Sequence, residues 1–318
     1  MDLSTRYMGL TLKNPLVAAS SPISIKEESI RKAIDAGAAA IVMFSLFEEQ
    51  FDKIGAENPY FPSAEDYAVP PEVYFDLLHK TVNLSRVPII GSLNGFASDG
   101  WVDHARKIQE TGAQGLELNL YQIAANPDAT GQEIERRYFE IIQEIKKSVE
   151  IPVALKLSPF FSSLGNMVRR FDNLGIDALV FFDRVYQPDF NLAAMEMEPS
   201  LSLSGPQETR LPLRWIAMMQ GRVNASLGAS TGVESGVEVI KYLLAGADAV
   251  MTASALLRNG PEYIGALIRD LERWMEKNEY ESVNEFRGQM SQRGVPNPDE
   301  FERANYIKVI ETFKKKHT

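Results

Sequence analysis

The chain has 318 residues and a formal net charge of −10, with 43 acidic against 33 basic side chains. Such an excess of negative charge argues against nucleic acid and anionic membranes as partners. It has no cysteine, and its three histidines (His79, His104 and His317) lie far apart. The composition therefore offers no disulfide, thiolate nucleophile, thiolate zinc site or protein-ligated iron–sulfur cluster, and a histidine metal site is not expected.

From the N-terminus onward, short apolar runs alternate with amphipathic stretches. The first run, Asn14-Pro15-Leu16-Val17-Ala18-Ala19, opens with a proline, which strands tolerate at their first residue. The same opening returns at Val87-Pro88-Ile89-Ile90 and Ile151-Pro152-Val153-Ala154, and Asn224-Ala225-Ser226-Leu227-Gly228-Ala229 continues the series. A second series is interleaved at Ala36-Gly37-Ala38, Thr111-Gly112-Ala113, Leu174-Gly175-Ile176 and Ala245-Gly246-Ala247. In each of these the glycine closes a helix in the left-handed conformation, and a small residue leads into a buried strand. Eight strands alternating with helices predict an α/β fold, the TIM (β/α)8 barrel, with inserted loops and a C-terminal helical extension.

The helices carry their own signals. Ser24 with Glu27 and Thr130 with Glu133 fit the capping box. Ile134, Tyr138, Ile141, Ile142 and Ile145 form one stripe, and Leu164, Met167, Val168 and Phe171 form the next. Val237, Ile240 and Leu244 share a face, and Ile264, Leu267, Ile268, Leu271, Trp274 and Met275 mark a helix behind Pro261. All are read as core-facing stripes.

The length exceeds the roughly 250 residues of a bare barrel, so the chain reads as one domain, 1–318, with insertions at 45–87 and 184–223 near the rim. The first contains the acidic, aromatic stretch from Glu48 to Glu72, and the second is broken by Gln187-Pro188-Asp189 and Ser204-Gly205-Pro206. Long loops of this kind serve as lids or binding loops. Residues 282–318 form the C-terminal extension. The first strand starts by Leu16, and no apolar run nears the roughly 18 residues a spanning helix needs. A cytoplasmic location without membrane contact is expected.

Catalytic groups of this fold collect at the C-terminal ends of the strands. Those ends supply Ala19-Ser20, Met43-Phe44-Ser45, Leu93-Asn94-Gly95, Asn119, Lys156, Asp183, Ser230-Thr231-Gly232 and Ala253-Ser254. The last two are turns of small residues before helices, and such neighbouring turns let backbone N–H groups cradle a phosphate. One cation, two carboxamides and a phosphate cradle suit FMN: Lys156 stabilises negative charge on the pyrimidine edge of the ring, and Asn94 and Asn119 bond the ring or its ribityl chain.

Several blocks then resemble a known family. Asn14-Pro15-Leu16-Val17-Ala18-Ala19-Ser20, Glu117-Leu118-Asn119-Leu120, Leu155-Lys156-Leu157-Ser158-Pro159, Gly232-Val233-Glu234-Ser235-Gly236 and Thr252-Ala253-Ser254-Ala255-Leu256 are similar to the blocks of dihydroorotate dehydrogenases, in order and spacing. Ser45-Leu46-Phe47-Glu48-Glu49-Gln50, Arg210-Leu211-Pro212-Leu213-Arg214-Trp215 and Phe301-Glu302-Arg303-Ala304-Asn305-Tyr306 resemble a bacterial branch of dihydroorotate dehydrogenase-like proteins more closely still.

The resemblance implies an FMN-dependent barrel, usually a homodimer, that oxidises dihydroorotate to orotate in pyrimidine synthesis. It places Ala19 and Ser20 against the flavin ring, Asn94, Asn119 and Lys156 on its polar edges, Asp183 at the strand-six position, and Ser204-Gly205 nearby. Ser230, Thr231, Gly232, Ala253 and Ser254 would hold the phosphate. With no cysteine in the chain, a cluster-based route for electrons requires a separate electron-transfer partner.

There are departures. The family's strand-four block runs on into Ser and then the Cys or Ser that takes the substrate proton; here Tyr121-Gln122 follow Asn119-Leu120. Glutamine accepts no proton, and an unperturbed tyrosine titrates near ~10. Met43 replaces a strand-two lysine, Ser230-Thr231-Gly232 replaces a glycine pair, and Asp183 replaces a strand-six asparagine. A carboxylate at Asp183 sits badly beside an anionic substrate unless protonated or paired, with Arg184 and Arg210 the partners in reach. The base is left open. Two other readings stand beside the oxidoreductase: a non-catalytic paralogue that binds flavin or a metabolite, and a Schiff-base aldolase or lyase using Lys156.

Overall fold

The structure is a computed structural model that describes residues 1–50, 70–96, 100–184, 189–198, 201–302 and 305–317. Parallel strands β1 (Leu16–Ala18), β2 (Ala40–Val42), β3 (Ile89–Gly95), β4 (Gly115–Leu120), β5 (Val153–Leu157), β6 (Ala178–Phe181), β7 (Ser226–Ala229) and β8 (Ala249–Thr252) pair in sequence order. Val250 of β8 pairs with Leu16 of β1, and Ile41 of β2 with Ile89 of β3, so the sheet closes on itself. This is the expected TIM barrel.

Its helices are α1 (Glu27–Asp35), α2 (Pro71–Leu84), α3 (Trp101–Glu110), α4 (Gly131–Ser148), α5 (Leu164–Asn173), α6 (Arg210–Met219), α7 (Gly236–Ala245), α8 (Ser254–Asn259) and α9 (Ile264–Lys277). Beyond them come α10 (Val283–Phe286) and α11 (Asn305–His317) in the C-terminal extension. The stripes of α4, α5 and α9 face the core, with Ile134, Ile268 and Trp274 half-buried and the rest buried. The capping box of Thr130 and Glu133 is formed in full.

One local expectation fails and another holds only in part. Ser24 does not cap α1: Lys26 stands at the N-cap, and the Ser24 hydroxyl instead donates to the Ser21 carbonyl and accepts the Phe44 N–H at 2.6 Å. That bond ties the loop after β1 to the end of β2, and it outcompetes the cap. On α7 the buried side chains include Val239, Ile240, Tyr242 and Leu243, while Val237 is exposed. Of the expected stripe, Ile240 is buried and Leu244 packs half-buried against the core, so only Val237 falls off the buried face.

The inside of the barrel is filled from below. An N-terminal hairpin, Thr5–Tyr7 with Leu10–Leu12, plugs the end where the strands begin, and its Tyr7, Met8 and Leu12 pack with Val17, Ala40, Ala154, Ala178 and Ala249. Small residues make the room. A Cβ on Gly115 would come 2.9 Å from the Met8 methyl, and one on Gly228 would come 3.3 Å from the Tyr7 hydroxyl.

The segment 45–87 contains Leu46–Phe47, which pairs with β3, a short 3-10 turn at Glu48–Gln50, and α2. Residues 51–69 of its acidic stretch fall outside the described residues. Within 184–223 a two-stranded ribbon, Asp189–Asn191 with Glu196–Glu198, precedes α6; Gln187 and Pro188 are outside the described residues. Among the described residues no helix is long and apolar enough to cross a membrane.

Candidate active site

At the rim, β3, β4 and β5 place Asn94 opposite Asn119 and Asn119 opposite Lys156. Lys156 stands opposite Val180 of β6, and Val180 opposite Gly228 of β7. Because all these strands run parallel, Lys156 and the Ser230–Gly232 turn share the C-terminal end of the barrel.

The Lys156 side chain is buried. Its Nζ donates to Glu117 Oε1 at 3.3 Å and lies 4.0 Å from Asp183 Oδ1. Burial works to lower its pKa, but the two carboxylates outweigh that and hold the ammonium above the usual lysine range. Asp183 faces this lysine rather than Arg184, which pairs with Glu208 at 3.1 Å; no ion pair joins Asp183 to Arg210 among the described residues.

Glu117 escapes a sequence reading that looks only at strand ends. It lies two residues before Asn119, hence on the same face of β4 one layer deeper, and strand periodicity is the signal that finds it. Its Oε2 is buried with no hydrogen-bond partner among the described residues.

On the other side of the mouth, hydroxyls run in a chain: Ser20 Oγ to Ser45 Oγ at 3.1 Å, and Ser45 Oγ to Ser92 Oγ at 2.8 Å. Ala19 is buried beside them, its N–H donating to the Thr252 carbonyl. Ser92 is a further residue that strand-end reading misses.

The turn after β7 puts both Thr231 and Gly232 at φ 78°. Gly232 N–H donates to Ser204 Oγ at 3.1 Å, and Ser204 Oγ meets Ser254 Oγ at 2.9 Å. Arg258 pins this segment by donating to the Ser204 and Leu203 carbonyls. The Tyr242 hydroxyl donates to the carbonyls of Ser230 and Thr231, and Gly205 N–H is held by Glu208. Ser204, Gly205, Ser230, Thr231, Gly232 and Ser254 thus converge, with Ala253 leading into α8. A Cβ on Gly232 would sit 2.9 Å from Gly205 O and from Thr209 N, so glycine there also lets the Ser204–Thr209 segment approach.

Tyr121 is half-buried at the end of β4, where burial first and the charge of Asp183 second push its phenol pKa up. Gln122 turns elsewhere: it lines a groove along α4 with Asn126, Arg137 and Glu140. Asp183 lines a cavity of about 510 Å3 with Phe160, Phe182, Arg184 and Thr231. No cluster of His, Cys, Asp and Glu able to hold a metal occurs among the described residues.

The sequence model described as Dihydroorotate dehydrogenase matches residues 2–275. The chain belongs to the dihydroorotate dehydrogenase family. Among its relatives, the catalytic subunit of dihydroorotate dehydrogenase B (NAD(+)) from Thermoplasma acidophilum is 25% identical, the alignment covering 90% of this chain and 98% of the relative. The corresponding subunit of Methanothermobacter thermautotrophicus is 25% identical over 90% and 97% of the two chains. That of Bacillus mycoides is 24% identical over 90% and 96%. The family match therefore spans the whole barrel.

Proposed function

We propose that this family member is an FMN-dependent oxidoreductase acting on a CH–CH bond, with dihydroorotate, the substrate named for its relatives, as the default. The observation that carries this reading is the buried Lys156 ammonium on β5, at the same barrel end as the cradle around Gly232. The donor set suits the group: serine hydroxyls and a backbone N–H converge where a phosphate needs donors, and carboxamides flank a fixed cation where a flavin ring has polar edges. Bound FMN would supply the hydride acceptor.

In this reading Ser230, Thr231, Gly232, Ala253 and Ser254 hold the phosphate, with Ser204 and Gly205 beside them. Ala19 and Ser20 lie against the ring, and Asn94 and Asn119 bond its edge with Lys156. Asp183 faces the substrate side. Lys156 serves as electrostatic stabiliser, since an ammonium held between two carboxylates is the opposite of the depressed lysine a Schiff-base enzyme needs.

The chain acts as one catalytic domain, with 45–87 and 184–223 as insertions in the barrel and 282–318 as an extension. Relatives named as catalytic subunits favour a separate electron-transfer partner, and the cysteine-free chain has no thiolates for a cluster of its own. A cytoplasmic homodimer completes the reading.

The test is direct. The protein purified after FMN supplementation should be yellow, with bound flavin that dihydroorotate bleaches without oxygen. A protein that takes up no FMN would overturn the proposal, and one that binds FMN but is bleached by no CH–CH substrate would be the non-catalytic paralogue.

A further inference from the structure

We propose that Asp183 is the catalytic base of this site, taking over the proton that the family pattern assigns to a Cys or Ser at the position of Gln122; the inference rests on the flavin-oxidoreductase reading. Oxidation of a CH–CH bond breaks two C–H bonds and forms one C=C bond. One hydrogen leaves with its electron pair to the flavin, which is reduced. The other leaves as a proton, whose electron pair becomes the new π bond, and the Asp183 carboxylate becomes a carboxylic acid until water discharges it.

The assignment follows from what each neighbour is already doing. Tyr121 keeps its proton at neutral pH because burial and Asp183 raise its phenol, so it is a donor here and not an acceptor. Gln122 is an amide and lines the separate groove along α4. Glu117 is 1% exposed, and its Oε1 holds the Lys156 ammonium one layer below the rim. Glu48 Oε2 accepts the Phe96 N–H at 2.6 Å, and Glu208 is engaged by Arg184 and by Gly205 N–H. Asp189 is on the exposed ribbon, its Oδ1 taken by the Phe190 N–H.

Asp183 differs from all of these. It shares the cavity of about 510 Å3 with Asp189 and Glu208, but its carboxylate, 20% exposed, accepts no hydrogen bond from the described residues, whereas theirs do. Its backbone is fixed, because Asp183 N–H donates to the Leu157 carbonyl at 2.8 Å on the strand that carries Lys156. Lys156, 4.0 Å away, fixes the position of the carboxylate without closing a hydrogen bond on it. An acceptor with free lone pairs, rigidly mounted and open to the cavity, has the attributes a general base needs.

The experiment compares FMN-loaded wild type with Asp183→Asn, an isosteric change, in anaerobic stopped-flow bleaching by dihydroorotate and in calorimetric binding of orotate. General-base removal is expected to slow bleaching by about 100-fold or more. FMN content should stay unchanged, and orotate, an anion, should bind as tightly or more tightly once the carboxylate is gone. A residue that merely shaped the pocket would weaken orotate binding together with bleaching. Bleaching of the variant at the wild-type rate, or a parallel loss of orotate affinity, overturns the assignment alone. A wild type that dihydroorotate does not bleach overturns the proposed function and this assignment with it.

Discussion

Tyr74 of α2 completes the barrel at Ser92 of β3. Ser92 N–H donates to the Tyr74 hydroxyl at 2.9 Å, and that hydroxyl donates back to the Ser92 carbonyl at 3.2 Å. β2 pairs with β3 only through Ile41 and Val42, and Leu46–Phe47 resumes the pairing at Leu93. The phenol fills the interval between the two stretches, satisfying a peptide that the ladder leaves open. Tyr74→Phe should keep the ring and strand both groups of Ser92 in a dry site. Leaving buried backbone groups unpaired costs about 1–3 kcal/mol each, so a loss of about 2–6 kcal/mol in denaturant unfolding is expected; a loss under about 0.5 kcal/mol would refute the bridging role.

Lys156 and Glu117 predict a pair effect. Lys156→Met removes the ammonium and leaves a buried carboxylate alone, and breaking one side of a buried pair costs about 3–5 kcal/mol. Adding Glu117→Gln should restore much of that stability, because the orphaned charge goes with its partner. Neither variant should retain FMN like the wild type. Thermal melts of the four proteins in the cycle measure the coupling, and additive losses would show that the pair does not act as a unit.

Much of the barrel was legible because its grammar repeats: a proline or small residue, a buried run, a turn, and a helix closed by glycine. Lys156, Asn119 and Gly232 were legible for the same reason, since the end of each strand marks the rim. The hairpin plug was not, because three-residue strands are too short to show a period. Its trace in the sequence is the row of small inward residues, Ala40, Gly115, Ala154, Ala178 and Gly228, that a filled barrel interior does not need. Glu117 was hidden inside a strand that otherwise reads as apolar. Ser24 and Val237 failed for a different reason: local pattern allowed two outcomes, and a tertiary contact chose between them.

Alkaline stability follows from the buried tyrosines. Tyr138 donates its hydroxyl to the Leu120 carbonyl, and burial pushes its pKa from 10.0 to about 12. A group raised in the folded state contributes stability that is whole below its unfolded pKa and is lost as pH rises through the folded one. The loss here lies between pH 10 and about 12. A tenfold change in proton affinity between the folded and unfolded chain corresponds to about 1.4 kcal/mol, so Tyr138→Phe should flatten the decline in unfolding free energy across that window by about 2–3 kcal/mol. Its stability at neutral pH should be lower, through the lost hydrogen bond. Parallel curves for the two proteins above pH 10 would contradict the assignment.

Gly232 is under two constraints that an added methyl group separates. Its φ of 78° is a conformation alanine adopts at a cost of about 1–2 kcal/mol. The added Cβ would also lie 2.9 Å from Gly205 O and Thr209 N, both backbone atoms that cannot swing aside. Gly232→Ala should therefore displace the Ser204–Thr209 segment, breaking the Gly232 N–H bond to Ser204 and opening the cradle. Gly205→Ala is the control, because a Cβ there meets nothing within 4 Å and φ is −123°. The expected result is loss of FMN from Gly232→Ala on gel filtration, with Gly205→Ala retaining it. Equal retention by both would mean that the cradle tolerates the shift and that the phosphate is held elsewhere.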